Sequence, residues 1–439
     1  MRLNEIKPTD VVGFLGVGLS NLSLMRKIAP LGCEIILRSD SKIDRNILSH
    51  NVKDENIYEG NRALSNIREN ILILSPSVRR DRVELREAVA RGVKITSDLE
   101  IFLDSVTRPI IAITGSDGKS TSTTLTHLLL KSRGIRSEMI GNIGIAMTEG
   151  LESNAEIYVA ELSSFMLSYA VPRSLRAALT NLTPNHLDWH KSYDEYKKTK
   201  INLLKHSEKF VISDENSDIC GAYAICSLGN FDEIKRLYEA EVYITLEDGF
   251  IKRNGDIILP IEEIRCRHRH NIKNLMTAIA LTDGLVSIGD VRMVAREFCG
   301  LAHRCSLILQ KDGVDYIDSS IDSTPARTVA TLSSLERRVV LILGGRGKGL
   351  DYSDLSPAVK KYAEKIIICG ENAEEIYSAL EDKSNAQVFP DFADAIKRGI
   401  EYAKNVGVLL LSPASTSFDR FKSYAERGDK FKEIILENT

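Results

Sequence analysis

The chain is poor in aromatic residues: Phe, Trp and Tyr make 6% of its 439 residues, with a single Trp. It also lacks a surplus of positive charge. Lys and Arg number 58 against 61 Asp and Glu, a formal net charge of −3. Nucleic-acid binders usually carry a basic excess, so composition argues against that class. No C-x-x-C pair occurs, and the seven cysteines, at 33, 220, 226, 266, 299, 305 and 369, are odd in number. That pattern argues against a disulfide framework or a zinc knuckle and for free thiols in a reducing cytosol. No apolar run approaches a membrane span, and residues 1–10 are polar, without an apolar signal core. A cytoplasmic protein with no membrane insertion is expected.

What is present is the composition of a globular enzyme, 43% hydrophobic and 27% charged. The length exceeds one ordinary core and suggests about two to four domains. Short apolar, β-branched runs recur at 11–15, 34–37, 71–74, 110–114, 157–161, 177–181, 210–213, 339–343, 366–369 and 408–411. Each precedes a longer amphipathic stretch. Fully apolar strands alternating with helical periodicity indicate parallel sheets covered by helices, so the fold class is α/β. Three blocks are expected, over 1–97, 98–301 and 302–439. Residues 241–259 differ: the turn dipeptides Asp248–Gly249 and Asn254–Gly255 indicate a hairpin.

The strongest local signal is Ile110-Ile-Ala-Ile-Thr-Gly-Ser-Asp-Gly-Lys-Ser-Thr121. A buried strand enters a glycine loop, and a helix over about 121–131 leaves it. Gly115 and Gly118 let backbone N–H groups approach phosphate oxygens, and the new helix adds its positive dipole end. In this reading Lys119 neutralises the β and γ phosphates and the Ser120 hydroxyl ligates Mg²⁺. Ser116, Asp117 and Thr121 complete the loop. Only two residues separate the glycines, fewer than in the general Walker pattern. At the N-terminus Gly16-Val-Gly18-Leu-Ser20-Asn21 follows a strand and forms a dinucleotide-like turn without the third glycine. His186 and His190 have i, i+4 spacing, but no third zinc ligand is evident.

The T-G-x-x-G-K-S loop resembles that of the Mur ligase superfamily, which also includes folylpolyglutamate synthetase. Further segments are similar to family motifs, in order along the whole chain. Gly141-Asn142-Ile-Gly144 resembles the G-N-I-G segment, which places Asn142 on the sugar-peptide substrate. Ala160-Glu161-Leu-Ser-Ser-Phe165 resembles the family's E-L-S-S-F strand end and makes Glu161 an Mg²⁺ carboxylate; Met166 stands where a glutamine is usual. The stretch 180–188 resembles T-N-(x)4-H-(x)-D and gives His186 to a second Mg²⁺ and to the substrate. Lys200 falls on the lysine that the family carbamylates with CO2. A carbamate turns a cation into an anionic oxygen ligand. Asn271 and Asn274 match asparagines near the adenine, and Arg304 matches the arginine of the P-H-R segment.

In the third block 316–325 resembles the N-D-S-x-A-T-x-P loop, with Ser319 at the aspartate position. Asp318 or Asp322 is expected to replace it beside the nucleotide. The resemblance gives Ser323, Lys348, Ser417 and Tyr424 to the incoming amino acid. The segment 411–428 matches the signature S-P-A-x-x-S-x-D-x-F-x-x-F-x-x-R-G of the glutamate-adding branch, with Tyr424 in place of a phenylalanine. Gly18, Leu19, Ser20 and Ser39 fall on the uridine-diphosphate site. The family's Thr-Arg pair there maps to Ser39–Asp40, with Arg38 as a candidate substitute for the missing arginine.

The resemblance thus implies an ATP-dependent ligase forming an amide through an acyl phosphate. Its substrates are expected to be UDP-N-acetylmuramoyl-L-alanine and D-glutamate, and its cofactors two Mg²⁺ ions and the Lys200 carbamate. A monomer is expected. The alternatives are a sister ligase with another acceptor or amino acid, and a non-catalytic nucleotide-binding relative.

Overall fold

The computed structural model describes every residue except 44, 46, 47, 49–51, 217 and 348, and the side chain of Asp188. Three sheets account for the strands. The first holds β1 (Val11–Leu15), β2 (Glu34–Ser39), β3 (Ile57–Glu59), β4 (Ile71–Leu74) and β5 (Lys94–Ser97). All its pairs are parallel, in the order β3-β2-β1-β4-β5. The order reverses at β1, so the loop after β1 lies at the topological switch point. The core beneath gathers Val12, Phe14, Met25, Ile28 and Ile73.

The second sheet holds β6 (Ile110–Thr114), β7 (Ser137–Gly141), β8 (Ile157–Glu161), β9 (Ser174–Leu179), β10 (Ser207–Ser213), β11 (Ala224–Ser227), β12 (Val242–Glu247), β13 (Phe250–Arg253) and β14 (Asp256–Pro260). Its order is β14-β13-β12-β11-β10-β9-β6-β8-β7, which puts β6 between β8 and β9. The pairs from β7 to β12 are parallel. β12, β13 and β14 form an antiparallel meander, one strand more than the expected hairpin. Its turns fall on Asp248–Gly249 and Asn254–Gly255, all four with positive φ, as type I′ geometry demands. These two sheets belong to one compact unit, residues 1–263 and 272–296.

The second unit comprises residues 264–271 and 297–439. Its sheet holds β15 (Ser306–Lys311), β16 (Val314–Asp318), β17 (Val339–Leu343), β18 (Ala363–Cys369), β19 (Ala386–Phe389) and β20 (Val408–Leu411), ordered β15-β16-β20-β17-β18-β19. Only the β15–β16 pair is antiparallel. β17 is buried along its full length, with Leu341 and Leu343 in one core layer and Val340 and Ile342 in the other. The α/β class and the mainly parallel sheets are as expected from the apolar runs. Among the described residues no helix is long and apolar enough to cross a membrane.

Candidate active site

β6 ends at Thr114, and the chain turns over 115–118 before the helix Lys119–Ser132, which starts two residues earlier than its pattern suggests. Gly115 has φ of +149° and Gly118 of +77°. A Cβ on Gly115 would strike Thr180 Oγ1, and one on Gly118 would strike Asn274 Oδ1, so both positions require glycine. The segment after β9 shapes the loop from outside. Asn181 Oδ1 accepts from the backbone N–H of Ser116 at 3.1 Å and of Asp117 at 2.7 Å. Thr180 Oγ1 donates to the Asp117 carbonyl at 2.5 Å. Ser116 Oγ donates to the Thr183 carbonyl at 2.9 Å and lies 2.8 Å from the Tyr196 hydroxyl. Asn181 and Thr180 had a place in the motif but no role from the sequence, because the bonds span more than 60 residues.

Two lysines meet on this loop. Lys119 Nζ donates to the carbonyls of Gly115 at 2.9 Å and Ser116 at 2.8 Å. Lys200, on the helix Tyr193–Lys205, donates to the same Gly115 carbonyl at 2.8 Å and to Thr114 Oγ1 at 3.2 Å. Its side chain is fully buried. Burial first, and then the charge of Lys119, hold its pKa well below the ordinary lysine value. A neutral amine is the form that attacks CO2.

Glu161 ends β8, paired in register with Ile113 of β6. It is fully buried. Oε1 accepts from Asn142 Nδ2 at 2.7 Å, whereas Oε2 has no protein donor. An ionised oxygen buried without a partner is costly unless a cation takes it. Among the described residues no three His, Cys, Asp or Glu side chains converge on one point. Mg²⁺ completes its shell with water and phosphate oxygens rather than with a full protein cage. Ser120 is the second residue of the helix that leaves the loop.

His186 has a left-handed backbone, φ +53°, and its exposed ring lies 4.8 Å from the Phe165 ring. His190 faces inward, buried among Phe165, Trp189 and Tyr196. Trp189 packs against Phe165, with Nε1 donating to the Ser77 carbonyl at 2.8 Å. Asn274 is buried, and its Oδ1 accepts from Ser122 Oγ at 3.3 Å, bracing the phosphate-loop helix. Thr180, Ser227, Lys273, Asn274 and Thr277 line a small cavity beside that helix.

In the second unit, Asp318 and Asp322 have different surroundings. Asp322 accepts from Thr331 Oγ1 at 2.7 Å and Ser412 Oγ at 2.8 Å, inside the core. Asp318 accepts from the Ser320 N–H at 2.8 Å and lies 2.6 Å from His303 Nδ1. Both carboxylates are buried, Asp322 among hydroxyls and Asp318 against the His303 ring. Arg304 follows His303 and is half-buried, Ser323 is half-buried, Ser417 is buried and Tyr424 is exposed. Asn271 Nδ2 donates to Cys266 Sγ at 2.8 Å. Lys348 lies outside the described residues. Arg427, part of the 411–428 signature but given no role from it, is buried and donates to Ser320 Oγ and O, Ser415 O and Thr416 O at 2.8–3.1 Å and to Gly344 O at 3.5 Å, joining the loops after β16, β17 and β20 at the carboxyl edge of the sheet.

In the first sheet, Gly16 (φ +83°) and Gly18 open the helix Leu19–Ile28. Leu19 is 87% exposed at the switch point. Ser20 is half-buried, and Ser39 Oγ accepts from the Ser41 N–H at 3.2 Å. Arg38 does not replace the missing arginine. It is fully buried, ion-paired to Glu69, and donates to the carbonyls of Ala63, Ser65 and Asn66 at 2.8–3.1 Å.

A buried strand, a two-glycine turn, a Lys-Ser helix start and a buried acid and lysine against them define a phosphate-loop enzyme of the α/β class. The family model described as Mur ligase middle domain matches residues 113–282, and that described as Mur ligase, glutamate ligase domain matches 303–415. The UDP-N-acetylmuramoylalanine–D-glutamate ligase of Acetivibrio thermocellus is 32% identical over 99% of this chain and 98% of its own length. That of Clostridium botulinum strain 657 is 32% identical over 97% and 96%. Among solved structures, UDP-N-acetylmuramate-alanine ligase of Thermotoga maritima superposes with a TM-score of 0.60 at 16% identity, over 98% of this chain and 100% of that one. The chain belongs to the Mur ligase family, whose members are ATP-dependent ligases.

Proposed function

We propose that this chain adds D-glutamate to UDP-N-acetylmuramoyl-L-alanine at the expense of ATP, a step of peptidoglycan precursor synthesis. The observation that carries the reading is the meeting of Lys200, Lys119 and Glu161 around one glycine loop, in a chain alike over its whole length to ligases of that name. The domain limits that go with it are 1–97 for the sugar nucleotide, 98–301 for ATP and 302–439 for the amino acid. The enzyme works as a cytoplasmic monomer.

A free carboxylate is a poor acyl donor, so it is first activated. A carboxylate oxygen of the acceptor attacks the γ-phosphorus of ATP, the bond to the β-phosphate oxygen breaks, and ADP leaves. The glutamate amine then attacks the acyl carbon. Phosphate departs with the C–O electron pair, and the amine loses a proton. Lys119 and the N–H groups of the helix start hold the negative charge gathered in the first step. Ser116, Asp117 and Thr121 shape the loop, Asn271, Arg304 and Asp318 hold the nucleotide, and Gly18, Leu19, Ser20, Ser39, Asn142 and His186 hold the sugar nucleotide. Ser323, Lys348, Ser417 and Tyr424 orient the amino acid, which turns a bimolecular attack into a local one.

Glu161, Ser120, His186 and carbamylated Lys200 are the groups that would hold Mg²⁺, whose charge screens the phosphates. Lys200 prepares itself: the uncharged form of its Nζ attacks CO2, a C–N bond forms as one C–O π bond opens, and one proton leaves to solvent. The product carries a single negative charge shared by two oxygens where a neutral amine stood. The test is mass spectrometry of the product made from ATP, Mg²⁺, bicarbonate, UDP-N-acetylmuramoyl-L-alanine and either D- or L-glutamate. The acceptor plus one glutamyl group with the D-enantiomer alone supports the reading. An unchanged acceptor with both overturns it.

A further inference from the structure

The carboxyl edge of the first sheet holds a cation that the motifs did not single out. The loop after β4 reads Ser75-Pro-Ser-Val-Arg79-Arg80-Asp81-Arg82. Two of its arginines are turned away from that edge. Arg79 pairs with Asp81 and donates to the Trp189 carbonyl, and Arg80 pairs with Glu100 and lies over the Tyr169 ring. Arg82 instead reaches Asp40, at the end of β2, through Nη1 at 2.8 Å and Nη2 at 3.1 Å.

The topology gives that pair its meaning. β2 and β4 flank β1 on opposite sides. The pair therefore joins the loops on either side of the Gly16–Gly18 turn, at the switch point where α/β sheets take their ligands. The glycine turn packs closely there: Gly16 has Ser75 Cβ 2.7 Å from the place a Cβ would occupy. The loop carrying Arg82 is fixed at its other end. Asp81 also takes Lys191 at 2.7 Å, and the Tyr169 hydroxyl donates to the Ser75 carbonyl at 3.1 Å. Arg82 thus stands on a clamped segment, while its own ion pair is partly exposed. Exposed pairs of this kind contribute little to stability. A guanidinium has five N–H donors; Asp40 accepts from Nη1 and Nη2, and the planar fork that meets a carboxylate in this way suits phosphate oxygens equally.

We propose that Arg82 is the cationic contact for the diphosphate of the sugar-nucleotide substrate, supplied from the loop after β4 in place of an arginine at position 40. Asp40 aims the guanidinium across the glycine turn and yields it to the more highly charged diphosphate. This assignment rests on the function proposed above and adds the residue that sets its affinity for the nucleotide half.

The test is calorimetric titration of the full chain with UDP alone, beside the KM for UDP-N-acetylmuramoyl-L-alanine and for ATP. Arg82→Ala is expected to weaken UDP and raise the sugar-nucleotide KM about tenfold or more, with kcat and the ATP KM unchanged. The double variant Arg82→Ala, Asp40→Ala should stay as weak, which separates loss of the cation from exposure of Asp40. Arg82→Ala with Asp40→Arg should regain most of the affinity, since the charge returns to the same edge. Wild-type affinity for UDP in the double alanine variant would overturn the assignment and leave the proposed function standing. A wild-type chain that binds ATP but neither UDP nor the sugar nucleotide would overturn both.

Discussion

The Nζ of Lys200 donates to the Gly115 carbonyl at 2.8 Å, so a buried amine closes one side of the phosphate loop. The same carbonyl accepts from Lys119 at 2.9 Å. Two cations on one oxygen, one of them buried, is unfavourable unless one loses its charge. Burial first, and then the charge of Lys119, lower the pKa of Lys200 well below the ordinary lysine value, which favours that loss. A chain that needed only a structural contact there would be served by a neutral side chain.

Activity is therefore expected to depend on CO2. Assays in CO2-depleted buffer should run slower than with added bicarbonate, and Lys200→Gln should be inactive under both conditions. Phosphate release measured with and without bicarbonate checks this. Equal rates in both buffers would remove the carbamate from the account.

Replacing Lys200 should also reveal its cost to stability. Its folded pKa lies below the unfolded value, so the unfolded chain binds more protons between the two and stability rises with pH through that window. At neutral pH without CO2, Lys200→Met is expected to stabilise the chain by on the order of 1 kcal/mol while abolishing turnover. Urea unfolding at two pH values, with the variant showing the flatter dependence, is the measurement.

Glu161→Gln keeps the acceptor for Asn142 but replaces the unpartnered Oε2 with an amide. The expected outcome is a fall in kcat of roughly a hundredfold to a thousandfold, by analogy with other losses of transition-state charge stabilisation. Half-saturation by Mg²⁺ should move to higher concentration. Phosphate release across an Mg²⁺ titration reads both.

Arg427 donates to five oxygens from three loops while fully buried. Arg427→Ala leaves those acceptors unsatisfied and is expected to destabilise the second unit by about 3 kcal/mol or more. Thermal unfolding of the full chain checks it, with Arg427→Lys expected to recover only part, because one ammonium cannot span the same fork.

His303 has a raised pKa, first through its hydrogen bond to Asp318, against the opposing effect of burial. Its folded pKa lies above the unfolded value of about 6.5. The stabilisation is then complete below the unfolded pKa and is lost as pH rises through the folded one. His303→Gln should remove this downward slope from stability measured across neutral pH.

How much of this was legible in the sequence depended on distance along the chain. The phosphate loop was, because Gly115, Gly118, Lys119 and Ser120 are neighbours and their geometry follows from residue type. The buried strands were as well, although the run ending at 181 overshoots β9 by two residues: Asn181 leaves the sheet to bind the loop. The different surroundings of Asp318 and Asp322 were not, since Thr331 and Ser412 reach Asp322 from other elements. Arg38 looked available by position, yet Glu69 and three carbonyls use it fully. Arg82 meets Asp40 across 42 residues. Such pairings are set by tertiary packing and leave no local pattern.

The most direct test of the central claim labels the carboxylate of UDP-N-acetylmuramoyl-L-alanine with heavy oxygen and follows the label during turnover with ATP and D-glutamate. Attack of that carboxylate on the γ-phosphorus predicts one labelled oxygen in each inorganic phosphate released. Unlabelled phosphate alongside amide product would contradict the acyl-phosphate route, and phosphate release without amide product would contradict the ligase itself.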